Sequence, residues 1–284
     1  MSNKILVTGA TGTIGGAVTT YLSSVGENVR AAVRNIDKAK SRNWQGVEIV
    51  PFDYENRATF EAALKGVNRL FVMSPPVPNV HELVIPLIDY AKEAGVKHIV
   101  DLSTIGAEYD DSTSLRLVEK SIESSEISYT FLRPNWVMQN FNNWYTDSIK
   151  ENNAIHLPAG DAKTSFVDAR DIAGVATAAF TKPGHENKIY TLTGGQALDH
   201  YEVASILSKA VGKQIEYVAI SDDDMRQGLK SQGWPDAAVE MMIELYQVVR
   251  QGAASGITSD ISTVLDRNPI TFELYAHDYA ERWK

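Results

Sequence analysis

Three glycines with regular spacing follow an apolar run near the start of the chain. The segment reads Gly9-Ala10-Thr11-Gly12-Thr13-Ile14-Gly15, after a strand-like run and before a helix-like stretch. A helix N-terminus binds a diphosphate through its backbone N–H groups, provided that no Cβ blocks the approach. We interpret Gly9 as the turn, Gly12 as the point of phosphate approach and Gly15 as the contact of helix with strand. The G-x-x-G-x-x-G spacing departs from G-x-G-x-x-G, but the strand–turn–helix context favours dinucleotide binding.

The end of the second predicted strand indicates which dinucleotide is bound. Proteins that prefer NAD place Asp or Glu there to hold the ribose 2′-hydroxyl. This chain instead has Arg34, and its next carboxylate is Asp37. A guanidinium pairs with a 2′-phosphate in bidentate fashion, and Lys38 adds a second cation one helical turn on. The pattern therefore predicts NADP(H), the alternative being an exposed arginine without a role.

The pattern of apolar runs predicts the elements that position these residues. Short apolar runs alternate with amphipathic stretches at the spacing of βαβ units. Most of the runs lack period-2 alternation, which is typical of strands covered on both faces of a parallel sheet. The predicted fold is α/β, a Rossmann-type doubly wound parallel sheet with a smaller mixed α/β C-terminal part that covers the substrate. Its six predicted strands are residues 4–8, 28–34, 47–53, 69–74, 98–103 and 128–132.

The sequence pattern becomes more helical after about residue 184, which predicts that the chain has two parts. Residues 1–150 are expected to form the NADP(H)-binding domain, with strand or helix contributions from 151–183. Residues 184–284 are expected to form the smaller part, with more helices and two short strands.

Composition excludes several classes of function. The chain of 284 residues carries 27 Lys and Arg against 36 Asp and Glu, a net charge of −9, so a nucleic-acid partner is not expected. It has no cysteine, and its six histidines lack ligand spacing, so no thiol or metal site is expected. No signal peptide or membrane span is recognisable, which predicts a cytoplasmic protein. Both a monomer and a homodimer remain open.

Further segments carry a family resemblance over nearly the whole chain. They read VTGATG (7–12), VRN (33–35), GVKHIV (95–100), YTFLRPN (129–135), FVDARDIA (166–173) and GHENKIY (184–190). With these motifs the chain resembles the NmrA-like atypical short-chain dehydrogenase/reductases, in particular the type 2 NAD(P)H:quinone oxidoreductases and the triphenylmethane reductases.

The resemblance and the glycine segment together imply a set of NADP(H) contacts. All lie at or just after the carboxyl ends of predicted strands, where open α/β sheets bind ligands. Asp53 has an alternative interpretation as a helix N-cap, and Pro75 as a turn residue. The implied contacts are Gly9, Ala10, Thr11, Gly12, Thr13, Ile14, Gly15, Arg34, Lys38, Asp53, Tyr54, Ser74, Pro75, Ser103, Pro134, Asn135, Trp136 and Val137.

The chain departs from the superfamily at the proton relay. Short-chain dehydrogenases usually carry Tyr-x-x-x-Lys after strand five. In this branch a Glu stands four residues after the Lys position, and we assign this Glu to Glu119. Leu115 then occupies the Lys position of the motif, and Asp111 occupies the Tyr position. Catalytic candidates are then Ser103, at the strand end, and Tyr109, just past it.

Two functional classes survive this departure. One is a reductase that transfers hydride directly from NADPH to a quinone or a similar flat conjugated acceptor, which needs little help with protonation. The other is a non-catalytic NADP(H)-binding redox sensor of the NmrA type.

Aromatic and amide side chains after strand six predict where a flat acceptor binds. They stand close to Pro134 in the sequence, and Trp234 comes from the C-terminal part. The alternative is that the aromatic rings only pack the two parts together. The predicted acceptor-binding residues are Trp136, Gln139, Asn140, Phe141, Trp144 and Trp234.

Overall fold

The computed structural model of the chain describes residues 3–284 and divides them into two compact units. The first unit holds the described residues up to Pro134, together with Ala169–Leu192 and Thr263–Asp266. The second holds Asn135–Asp168, Thr193–Ser262 and Arg267–Lys284.

Strands of two sheets run through the described chain. They are β1 (Lys4–Val7), β2 (Asn28–Val33), β3 (Glu48–Pro51), β4 (Val67–Met73), β5 (His98–Leu102), β6 (Ser128–Pro134), β7 (Ala154–Leu157), β8 (Lys188–Leu192) and β9 (Glu216–Ala219). The first unit contains a seven-stranded parallel sheet in the order β3-β2-β1-β4-β5-β6-β8. In the second unit β7 pairs with β9, also in parallel. The Rossmann-type parallel sheet predicted from the sequence is confirmed.

Helices cover both faces of the large sheet. The helices of the described chain are α1 (Thr13–Ser24), α2 (Ile36–Lys40), α3 (Phe60–Leu64), α4 (His81–Glu93), α5 (Ser114–Ser124), α6 (Asn140–Asn143), α7 (Thr146–Asn152), α8 (Ala169–Thr181), α9 (His200–Val211), α10 (Asp222–Ser231), α11 (Asp236–Arg250), α12 (Asp260–Leu265) and α13 (Phe272–Tyr279). On one face α1 packs against α8, while α4 contacts α3 and α5 on the other. The sheet is therefore doubly wound.

Burial in the first unit explains the sequence pattern. All five residues of β5 are buried, as a central strand covered on both faces requires. On the α3–α5 side, Leu70 of β4, Ile99 of β5 and Phe131 of β6 belong to one apolar cluster. Asp101 is a polar exception within this strand.

The second unit has an aromatic core. Phe141, Phe166 and Phe272 stack edge to face in it, with ring centroids 5.3 to 5.7 Å apart. Trp283, which is fully buried, donates its indole N–H to the Phe141 carbonyl at 3.2 Å.

The two units divide the chain at places other than residues 150 and 184. Residues 135–168 lie in the second unit, because they supply β7 and part of its aromatic core. β8 belongs to the first unit, because it pairs with β6 along its whole length. Residues 1 and 2 of the predicted first domain lie outside the described residues.

Among residues 3–284, no helix combines the length and the apolar character needed to cross a membrane.

Candidate functional site

The glycine segment forms a tight bend between β1 and α1. Gly9 has a φ of +62°, and the N–H of Gly12 donates to its carbonyl oxygen at 2.9 Å. A Cβ on Gly9 would lie 2.9 Å from the Sδ of Met73, and one on Gly15 would lie 2.4 Å from the Gly9 oxygen. Both positions therefore require glycine, since an added methyl group would displace backbone or the end of β4.

The bend leaves the start of α1 accessible. Gly12 is the N-cap of α1, and both Gly12 and Thr13 are exposed. The first turn carries no acidic side chain, and Gly12 has no side chain with which to cap the helix. A cradle of this kind, which a Cβ at Gly12 would narrow, fits a bound diphosphate.

Two basic residues follow β2, the strand that pairs with β1. Arg34 directly follows β2 and is exposed, and its guanidinium makes no ion pair within residues 3–284. Lys38 is exposed in the first turn of α2, while Asp37 pairs with Lys40 at 3.8 Å. Arg34 is thus free to bind an anion, as the sequence pattern requires.

Arg42 is a cation at the bend that the sequence analysis missed. Its Nη2 donates to the carbonyl oxygen of Thr11 at 2.7 Å. Residues 34–42 are rich in Lys and Arg although the chain as a whole is acidic, and this was the signal that could have indicated a further cation. Nothing in the sequence placed residue 42 beside residue 11.

Asp53 and Tyr54 lie at the carboxyl end of β3 with structural partners. The Asp53 carboxylate accepts the N–H of Glu55 at 3.1 Å, a turn-capping contact. The Tyr54 hydroxyl lies 3.0 Å from Thr8 Oγ1 and 3.1 Å from the Met73 carbonyl oxygen. Burial raises the pKa of Tyr54 well above its ordinary value, so this phenol stays protonated and links the ends of β1 and β4.

Ser74 and Ser103 follow β4 and β5 at the same sheet edge. Ser103 continues the pairing of β5 with β6, because its N–H donates to the Leu132 carbonyl at 2.9 Å. The two hydroxyl oxygens are buried without a hydrogen bond of regular geometry among the described residues. Pro75 is half-buried and accepts the N–H of Val77, as a turn residue does.

A buried ion-pair network includes Glu119, from which the sequence analysis assigned the relay positions. Arg133 donates to both carboxylate oxygens of Glu119, at 2.9 and 2.7 Å, and Arg116 donates to the same group at 2.9 Å. Burial tends to raise the pKa of Glu119, but the hydrogen bonds from Arg133 hold it below its usual value. Asp111 is exposed and pairs with Lys120 at 2.9 Å, and Leu115 is half-buried. The assigned relay positions thus present a carboxylate and an alkyl group.

Tyr109 ends a short 3₁₀ turn, Ala107–Tyr109, with 85% of its surface exposed. In that position its phenol lacks the desolvated surroundings that tune an acid for catalysis.

The segment after β6 brings some of the expected acceptor residues together and separates others. Trp136 is half-buried, and its ring lies 5.0 Å from that of Tyr246. The hydroxyls of Tyr246 and Tyr145 are 3.0 Å apart. Burial raises the pKa of Tyr145 to about 12, so it stays protonated at neutral pH. Trp136 and Tyr145 are half-buried, whereas Tyr246 is buried.

The remaining predicted acceptor residues are dispersed. Phe141 and Gln139 are buried, each 2% exposed, whereas Trp144 is 51% exposed. Asn140 and Trp234 are half-buried.

Pro134 and Asn135 mark the end of β6. Asn135 donates its amide to Ser165 Oγ at 2.8 Å and to the Ala254 carbonyl at 2.7 Å, so it holds the second unit together. Val137 forms a bridge with Val167.

The second unit also contains a cavity of about 300 Å³ that the sequence analysis did not anticipate. Met138, Phe166 and Phe272 line its apolar side, and Gln196 and Asn268 supply amide groups. No group of three His, Asp or Glu side chains that could hold a metal ion occurs in the described part of the chain.

Comparison with known families and curated proteins gives matches over the full length. The model of the NmrA-like family matches residues 1–276. The NAD(P)H azoreductase of Xenophilus azovorans is 38% identical over 280 residues, covering 97% of this chain and 98% of the relative.

Two solved structures share the fold at high similarity. The triphenylmethane reductase of Citrobacter sp., complexed with NADP(H), has a TM-score of 0.83 and 29% identity, and the match covers 98% of this chain and 99% of that one. The NADPH-dependent quinone oxidoreductase of Escherichia coli, complexed with NADPH, has a TM-score of 0.84 and 29% identity, covering 96% and 99%.

Replacing Glu119 by Leu tests the ion-pair network. Glu119→Leu leaves Arg133 buried with only Glu108 as a partner, and we expect it to lower the free energy of unfolding by about 3–5 kcal/mol. The control is Glu123→Leu, which removes a partner of Arg116 that is more exposed than Glu119, and it is expected to cost no more than about 1 kcal/mol. Urea unfolding measures both, and equal losses would contradict the assigned role of Glu119.

Proposed function

The chain belongs to the NmrA-like family, and on that premise we propose that it is an NADPH-dependent reductase that transfers hydride directly to a quinone or similar flat conjugated acceptor. The observation that carries the proposal is the open glycine bend at the start of α1, together with Arg34 at the end of the neighbouring strand, whose guanidinium makes no ion pair with the residues that the structure describes.

The cofactor's phosphates have residues of fitting chemistry in the first unit. Gly9, Gly12 and Gly15 hold the diphosphate on the N–H groups of α1. Arg34 and Lys38 bind the 2′-phosphate, which an NAD-type carboxylate would repel. The azoreductase named above is described as using NAD(P)H, and the two solved relatives are complexes with NADP(H) and NADPH, which supports this assignment.

The acceptor is assigned from its chemistry. Azo dyes, quinones and triphenylmethane dyes, after which the similar proteins are named, are conjugated molecules that can be reduced. Bound NADPH supplies the hydride. The chain's own contribution is to orient the two reactants and to exclude water, with Ser74 and Ser103 beside the nicotinamide ribose and Trp136 at the acceptor.

The first test is turnover. Purified protein is mixed with NADPH, with and without a small benzoquinone, and the absorbance of the reduced nicotinamide is followed. We expect NADPH to be consumed only when the quinone is present, at a rate proportional to protein. Tight NADPH binding without turnover on quinone, azo and triphenylmethane acceptors would contradict the reductase and favour a redox sensor.

The second test concerns the choice of cofactor. Because a charge-assisted hydrogen bond contributes about 1.5–3 kcal/mol, Arg34→Ala should weaken NADPH binding by roughly ten- to a hundredfold and leave NADH binding within about twofold. Calorimetric titration gives both dissociation constants. Arg282→Ala, which removes an exposed arginine from the other unit, serves as the control. Equal losses for both nucleotides would exclude the 2′-phosphate role.

A further inference from the structure

Asp101 is an acid in the middle of the central sheet. It lies in β5, is 1% exposed, and neither of its carboxyl oxygens has a hydrogen-bond partner in the part of the chain that the structure describes. Its strand neighbour two residues back on the same face, Ile99, belongs to the apolar cluster under α3–α5. An apolar side chain would fill this position without the cost of desolvating an acid, so stability alone does not account for an acid here.

The surroundings keep this carboxyl group protonated. Burial raises the pKa of Asp101 well above its usual value, and the negative charge of Glu119 on α5 adds to the shift. The other titratable group that interacts with it is Tyr54, a phenol that also stays protonated. The arginines of the region, Arg116 and Arg133, are bound to Glu119 and do not donate to Asp101.

A column of hydroxyl groups leads from Asp101 to the sheet edge. In the register of β4 and β5, Val72 stands opposite Asp101 and Met73 opposite Leu102. Continuing that register by two residues places Ser74 beside Ser103, on the face that Asp101 occupies, because side chains alternate along a strand. Both hydroxyl oxygens are buried and lack a regular hydrogen bond within residues 3–284.

Glu119 lies against the same column. The Ser103 hydroxyl is near its carboxylate and contributes to lowering its pKa, although no hydrogen bond of regular geometry joins them. One core thus holds a carboxylate that is fixed as an anion by two arginines and a second carboxyl group that keeps its proton.

We propose that Asp101 stores the proton that a quinone-like acceptor takes up on reduction, and that it delivers this proton through Ser103. The inference rests on the proposed function. The O–H bond of Ser103 breaks as its proton moves to the acceptor oxygen, while NADPH donates the hydride. The Asp101 proton then restores the Ser103 hydroxyl, and solvent water later reprotonates the carboxylate.

The spacing defines how the proton travels. Residues two apart on a strand are separated by about 6.6 Å, so one hydroxyl or water must lie between Asp101 and Ser103. Ser74 lies about 4.8 Å from Ser103 on the adjacent strand and is diagonal to Asp101, so the group that bridges Asp101 and Ser103 is a water molecule. Asp101 therefore acts through Ser103 and is a positioning residue that sets the supply of protons.

Asp101→Asn separates this role from a structural one, because the amide keeps the shape and cannot release a proton. Two acceptors are compared in the same preparation: benzoquinone, whose reduction consumes a proton, and a cationic triphenylmethane dye, whose central carbon is neutralised by hydride alone. We expect the quinone rate to fall at least about tenfold and the dye rate to change less than about twofold. Infrared spectra of the protein without nucleotide should show a protonated carboxyl C=O band that D101N lacks.

The outcomes distinguish a failure of the role of Asp101 from a failure of the proposed reductase function. An unchanged quinone rate, equal losses with both acceptors, or no loss of a protonated carboxyl band in D101N would each overturn the role of Asp101 and leave the reductase intact. Absence of turnover by the unaltered protein with either acceptor would overturn the proposed function and this inference together. Asp101→Leu is a second variant of similar volume that suits an apolar site, and it should show the same selective loss if D101N folds poorly.

Discussion

The contact between the start of α1 and the end of β1 is the constraint on which the site depends. A Cβ on Gly15 would lie 2.4 Å from the Gly9 oxygen and 2.9 Å from the Thr8 oxygen, so the helix begins directly on the strand. This contact aims the positive end of the helix at the carboxyl edge of the sheet. Tyr54, Ser74 and Ser103 reach the same edge because parallel strands all end there.

Glu119 and Asp101 are two buried acids of the first unit whose neighbouring side chains determine whether they are ionised. Glu119 is ionised because Arg133 and Arg116 satisfy its oxygens, whereas Asp101 lacks such a partner among the described residues and keeps its proton. The cost of burying an unpaired charge explains the difference, since both side chains are buried but only that of Glu119 is paired with arginines. The first unit thus holds a protonated carboxyl group two residues before Ser103 at the sheet edge.

The sequence predicted those features that depend on residues close together in the chain. The glycine bend and Arg34 were predictable because they depend on residues near each other in the chain and on a strand–turn–helix order that apolar patterning indicates. The parallel sheet was predictable for the same reason. Its seventh strand, β8, was placed in the wrong part, because its pairing with β6 spans more than 50 residues and leaves no local signal.

Other features depend on distant contacts. Arg42 lies beside Thr11 although 31 residues separate them, and Phe141 lies in a core whose residues are spread from Met138 to Trp283. The segment from Trp136 to Tyr145 was interpreted as one site, yet Phe141 of α6 is buried and Trp144, which directly follows that helix, is exposed. The lack of partners around Asp101 is a property of the folded core, which spacing in the sequence does not reveal.

The most direct measurement of the central claim is NADPH binding by Gly12→Ala. The added Cβ lies 3.2 Å from the Gly9 oxygen, so the free protein accepts it with a small adjustment, but it narrows the cradle where the diphosphate binds. Calorimetry should give a dissociation constant at least about tenfold higher, with an unchanged urea midpoint. Gly228→Ala, whose Cβ would meet nothing within 4 Å, should bind NADPH normally. Equal NADPH affinity in Gly12→Ala and the unaltered protein would contradict the account.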